Sequence, residues 1–141
     1  MAGVFLVNKD GLVELREQPF ATEDDLQSLL ERYPNLMPGD QINSATPRRW
    51  VLICREMGVA SDEGQGDRWA VDHLFVDQDA IPTLVEVKRS SDTRIRREVV
   101  GQLLEYAANA ALYWTREKLT AAFQETHGEH ARERLQALVG Q

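Results

Sequence analysis

The sequence predicts an α/β domain: a mixed β-sheet flanked by helices, with a hairpin at the N-terminus and a second hairpin at the centre of the sheet. Three observations carry this. Residues 69–77 and 83–89 alternate in polarity with the period of a strand. Residues 93–114 and 22–33 carry apolar stripes at helical spacing. At 141 residues, with 43% hydrophobic and 28% charged residues, the chain has the composition of one soluble globular domain.

Taken in order, residues 3–17 read as two short strands around Asn8-Lys9-Asp10-Gly11, where Asp-Gly signals a tight turn. Thr22 is a plausible N-cap for a helix over 22–33. The acids Glu23, Asp24 and Asp25 in its first turn suit the helix dipole, and Pro34 ends it. Residues 34–47 are loop, and 49–57 are apolar and β-prone. The long helix 93–114 has a predicted stripe of Ile95, Val99, Leu103, Ala107 and Ala110, with Gly101 marking close approach to the sheet. Two further helices are expected over 116–126 and 129–139. A single domain therefore covers 1–141, with its core in 22–114 and C-terminal helices in 115–139.

Composition excludes some functions. The net charge of −7 argues against a protein that binds nucleic acid over its whole surface. Charge is uneven, however: Lys88, Arg89, Arg94, Arg96 and Arg97 face a single acid, Asp92. No apolar run is long enough to cross a bilayer. One cysteine, Cys54, and an opening without a basic leader lead to an expected cytoplasmic location. His127 and His130 flank Gly128 and Glu129 without a cysteine or third histidine, so they read as surface rather than zinc ligands, and His73 reads as packed.

The central stretch carries the chemistry. If Asp72 pairs with Glu86, Val76 falls opposite Pro82 and residues 77–81 form the hairpin loop. Opposed residues share a face, so the two carboxylates converge. Such like charges repel unless a cation lies between them, and hard oxygen ligands suit Mg²⁺ or Mn²⁺. The Val87 carbonyl is a candidate third ligand. Lys88 shares the face of Glu86, where it would orient or deprotonate water and stabilise charge on phosphorus. Gln102 and Tyr106, four apart on the next helix, share a side that borders its stripe.

Asp72, Glu86-Val87-Lys88 and Gln102-x-x-x-Tyr106, in strand–strand–helix order, resemble the PD-(D/E)XK nuclease superfamily. The run PTLVEVKRSSDTRIRREVVGQLLEYAANA is most similar to its bacterial NucS-like and Holliday-junction-resolvase-like branch. The resemblance spans Thr22 to Trp114, although Val71 stands where the superfamily's proline would precede Asp72. It implies a restriction-endonuclease-like fold and a Mg²⁺- or Mn²⁺-dependent DNA endonuclease of repair, recombination or defence. Asp72 and Glu86 would be metal ligands, Lys88 the catalytic lysine, and Gln102 and Tyr106 an accessory motif. A first-helix acid, Glu23 or behind it Glu31, would complete the site. Arg89, Arg94, Arg96 and Arg97 would contact DNA, and the resemblance allows a homodimer. The alternative is a catalytically silent module of the same fold that binds nucleic acid or a protein, or a piece of a larger protein.

Overall fold

The computed structural model describes residues 3–60, 66–89 and 95–140, with the backbone alone at 67, 68, 95 and 96. The N-terminal hairpin is formed by β1 (Val4–Asn8) and β2 (Gly11–Leu15), paired from Val4↔Leu15 to Asn8↔Gly11. The two turn residues are Lys9 and Asp10, and the Asp10 amide donates to Asn8 Oδ1 at 2.9 Å. Gly11 closes the turn at φ +126, a conformation that a side chain would strain. All ten strand residues of this hairpin are exposed.

Helix α1 (Glu23–Arg32) begins as its sequence dictates. Thr22 Oγ1 accepts from the Asp25 amide at 3.1 Å while Asp25 accepts from the Thr22 amide at 2.8 Å, a reciprocal capping box. A 3-10 turn at Pro34–Leu36 and the single turn α2 (Gly39–Ile42) lead to the main sheet.

That sheet has the order β3-β4-β5, from β3 (Trp50–Ala60), β4 (Asp67–Asp77) and β5 (Pro82–Val85). Both pairings are antiparallel, so among the described residues the sheet is not the mixed one expected. The reason lies after the long helix. A returning parallel strand would be needed there, but Thr115 caps another helix by accepting from the Lys118 amide at 3.2 Å. The chain is an α/β domain in this coarser sense. The central hairpin has the register expected: His73↔Val85, Leu74↔Leu84, Phe75↔Thr83 and Val76↔Pro82. The ladder stops at Val85, however, so residues 86–89 leave the strand earlier than their alternation suggests.

Consecutive β4 residues enter different cores. Phe75 packs with Leu30, Trp50, Leu52 and Val87 beneath α1. Leu74 packs with Met57, Val59, Tyr106 and Phe123 beneath the C-terminal helices. The sheet is thus sandwiched, and Val59, Val71, Leu74 and Phe75 are fully buried. Each such side chain contributes about 1.5–3 kcal/mol. Alternation is not kept throughout: Val71 and Trp69 join the Leu74 and Tyr106 cluster, not the His73 and Phe75 side. The β3–β4 ladder carries two register shifts and β3 a left-handed Glu56 (φ 51), irregularities that concentrate twist beside this segment.

The long helix opens as a π turn over Ile95–Val99 and continues as α3 (Val100–Tyr113). Its buried residues are Tyr106 and Ala110, with Leu103 partly buried, while Ala107 is exposed. Gly101 faces open space, which corrects the expectation of close approach to the sheet. Helices α4 (Arg116–His127) and α5 (Ala131–Val139) complete the second layer.

Candidate functional site

The cluster forms where the central hairpin loses its ladder. Beyond His73↔Val85 the next strand amide, that of Val87, donates to Asp72 Oδ2 at 2.8 Å. The Asp72 side chain thus takes over the role of a strand carbonyl, and it fixes the path of Glu86-Val87-Lys88. Two residues later the Arg89 amide donates to Glu23 at 3.0 Å, and the Arg89 guanidinium donates to the Ala21 carbonyl. The segment 86–89 is therefore tied at one end to β4 and at the other to the start of α1.

Glu86 sits between these ties with its side chain 3% exposed. Its Oε1 accepts from the Lys88 ammonium at 2.8 Å and from the Gln102 amide at 3.3 Å. Gln102 also donates to the Tyr106 hydroxyl at 2.6 Å, as the i, i+4 spacing permits. The other carboxylate oxygen, Oε2, is buried and has no partner among the described residues. An unpartnered buried carboxylate oxygen is costly, and a cation or ordered water relieves it.

Electrostatics support one protonation state for Lys88. Burial lowers its pKa, but the hydrogen bond to Glu86 and the charges of Glu86, Asp72 and Glu23 outweigh it, so the net shift is upward. Lys88 therefore stays an ammonium at neutral pH. Burial raises the Tyr106 pKa; the Gln102 hydrogen bond opposes this while the charge of Glu86 adds to it, and the phenol stays protonated.

The structure thus brings Asp72, Glu86, Val87, Lys88, Gln102, Tyr106 and Glu23 into one neighbourhood. It separates Glu31, whose carboxylate pairs with Arg55 at 3.3 Å. Arg97 is exposed on the π turn. Arg94 and the side chain of Arg96 lie outside the described residues. Arg89 is exposed and its guanidinium donates to the Ala21 carbonyl in the loop before α1.

The histidines divide. His73 is fully buried, with Nε2 2.9 Å from the Gln27 carbonyl and Nδ1 without a partner. Burial, reinforced by the charge of Arg55, lowers its pKa against the opposing pull of the Gln27 carbonyl. His127 is not the surface residue expected: its Nε2 lies 2.6 Å from the Leu52 carbonyl and its ring stacks obliquely on Phe123. His130 is exposed beside Glu133.

Among the described residues no three His, Cys, Asp or Glu side chains cluster as a ready metal cage. Asp72 and Glu86, with the Val87 carbonyl, would be the donors for a partly hydrated cation such as Mg²⁺. The unpartnered Glu86 Oε2 fits such a cation. A separate cleft of about 550 Å³ lies at the other end of α1, lined by Arg32, Tyr33, Arg49, His127 and Arg134. It contains none of the carboxylate cluster.

One residue that sequence reasoning missed is Asp77, 4% exposed. Its Oδ1 accepts from the amides of Asp79 and Ile81, both at 2.9 Å, and its Oδ2 accepts from Arg48 at 2.7 Å. Asp at the first position of a loop is the available signal, since its side chain caps such turns.

Fold and site define an α/β domain with a buried carboxylate–lysine–glutamine–tyrosine cluster at the end of an antiparallel hairpin. Comparison with known protein families, curated proteins and solved structures finds no match to this chain.

Proposed function

We propose that the chain is a Mg²⁺- or Mn²⁺-dependent nuclease that hydrolyses phosphodiester bonds in DNA. The observation that carries this reading is the buried Glu86 carboxylate, with one oxygen held by Lys88 and Gln102 and the other without a partner among the described residues. Asp72 and Glu86, with the Val87 carbonyl, would hold the cation. When bound, it would polarise the scissile phosphate and make water more acidic. Lys88, kept protonated by its neighbours, stabilises negative charge on the phosphate rather than serving as the base. Gln102 fixes the carboxylate and Tyr106 fixes Gln102. Glu23 holds the backbone that follows Lys88 and so sets where the ammonium points.

The test is Mn²⁺ titration by calorimetry on the native protein, Asp72→Ala and Glu86→Ala, followed by cleavage assays on duplex, branched and single-stranded DNA. Binding is expected in the native protein and lost in both variants. Metal-dependent cleavage retained by Glu86→Ala would overturn the reading.

A second reading is a non-catalytic module that binds nucleic acid. The cleft at the far end of α1 favours it, because Arg32, Arg49 and Arg134 line it and its acid, Glu31, is already paired with Arg55. Binding of DNA that depends on Arg32 and Arg134 but not on Glu86 or metal would select this alternative.

A further inference from the structure

Among the described residues, two apolar surfaces lack a covering partner. The first is the N-terminal hairpin. Val4, Leu6, Val13 and Leu15 are directly opposed in pairs on one of its faces, each 46–65% exposed. Phe5, Val7 and Leu12 on the other face are 52–77% exposed. A two-stranded hairpin is marginal by itself in water and needs a surface to pack on.

The second surface is the outer side of α3. Val100, Leu104 and Leu112 are 53%, 67% and 74% exposed. Ala107, Ala108 and Ala111 complete the same stripe at helical spacing, and all three are exposed. The opposite side of the same helix buries Tyr106 and Ala110. A helix that is apolar on both sides belongs between two layers, and here one layer is missing.

We propose that this hairpin is an exchange arm: in a two-fold dimer, the β1–β2 arm of each copy covers the outer side of α3 of the other. Charge identifies a second copy as the occupant. The whole chain carries −7, so two copies repel over most of their surfaces. Residues 3–16 are neutral, with Lys9 and Arg16 balancing Asp10 and Glu14, and α3 carries one charge, Glu105. Arm and helix are thus the segments through which like chains can approach without charge penalty. Area agrees. The four side chains of one arm face expose on the order of 350 Å² per copy, so two arms together with the helix surfaces they cover reach the roughly 1,200–2,000 Å² of a stable interface. The arrangement is self-complementary, since each copy offers one arm and one helix, which closed two-fold symmetry requires.

The test is sedimentation equilibrium of the full chain with two variants, Leu6→Glu/Val13→Glu in the arm and Leu104→Glu on the helix. The native protein is expected at twice the 16.0 kDa of one chain. Each variant is expected to be monomeric at concentrations at least 100-fold above the native dissociation constant, with unchanged circular dichroism. Both substituted surfaces are exposed, so neither change disturbs the core. An equimolar mixture of the two variants restores one intact arm-on-helix contact and so forms mixed dimers. A native monomer at about 100 µM would overturn the proposal and assign the arm to its own chain or to another protein. So would a dimer that survives either variant, survival in Leu104→Glu alone indicating arm-on-arm contact, or variants that fail to complement.

Discussion

Removing the charge of Lys88 is the most informative single perturbation of the cluster. In Lys88→Met, the Glu86 carboxylate, 3% exposed, keeps only the Gln102 amide at 3.3 Å and still has an unpartnered oxygen. Breaking one side of a buried ion pair costs about 3–5 kcal/mol. Lys88 is itself 25% exposed, so water reaches part of the vacated space and the cost falls below that range, to about 2–3 kcal/mol. For a chain of this size that lowers Tm by roughly 6–12 °C. Urea unfolding followed by tryptophan fluorescence at pH 7 measures it, since Trp50, Trp69 and Trp114 all lie in or beside the cores. The double variant Lys88→Met/Glu86→Gln, which has no buried charge, should recover most of the loss. The pH dependence has a fixed sign. Because the folded-state pKa of Lys88 is raised, its contribution is complete below the unfolded value of about 10.4 and disappears as pH rises through the folded value. The difference between native and Lys88→Met should therefore close on the alkaline side. A penalty below about 0.5 kcal/mol at pH 7, or one that persists unchanged at strongly alkaline pH, would refute the buried-pair argument.

Four further outcomes are expected. Burial lowers the pKa of His73, so its neutral form contributes stability fully above about pH 6.5 that is lost as pH falls through the folded value. Thermal midpoints between pH 7.5 and 5.5 should decline in the native protein and less steeply in His73→Phe. Burial, reinforced by Glu125 against the pull of Lys118, raises the Cys54 pKa to about 11. Only about one thiol in a thousand is then ionised at pH 8, and alkylation by iodoacetamide should run on the order of 100-fold slower than for a free small thiol. Asp77→Ala removes one of the two carboxylates paired with Arg48 and the acceptor of two loop amides, and should cost about 2–4 kcal/mol in chemical denaturation. Ala80→Gly, at φ 61 in the same loop, should stabilise by up to about 1 kcal/mol.

The register of the central hairpin was legible in the sequence because alternation and loop length determine it together. Moving it by one residue would turn Asp72 and Leu74 to the wrong face, and residues 77–81 close a loop of common length. The start of α1 was legible for a similar local reason, since Thr22 and Asp25 satisfy each other's amides. What the sequence concealed depends on distant partners. Glu23 and Glu31 are equivalent acids on one helix until Arg89 and Arg55 separate them. A helical wheel drawn for α3 chose Ala107 as core, yet Tyr106 is the buried residue because its hydroxyl is satisfied by Gln102. His127 gave no sign of its tie to Leu52, 75 positions away. The helix after α3 was legible from Thr115 and the run that follows, which left the expected mixed sheet without a strand to supply its parallel pairing.

The bond from the Val87 amide to Asp72 makes that single proton a built-in gauge of the cluster. Its acceptor is a carboxylate, so any neutralisation of Asp72, by proton or by cation, weakens the bond and shifts the amide resonance upfield. Because Val87 is 5% exposed, its exchange with solvent is slow enough to observe in the folded state. Occupancy at Asp72 is thus readable from one backbone signal, without a substrate and without altering a residue.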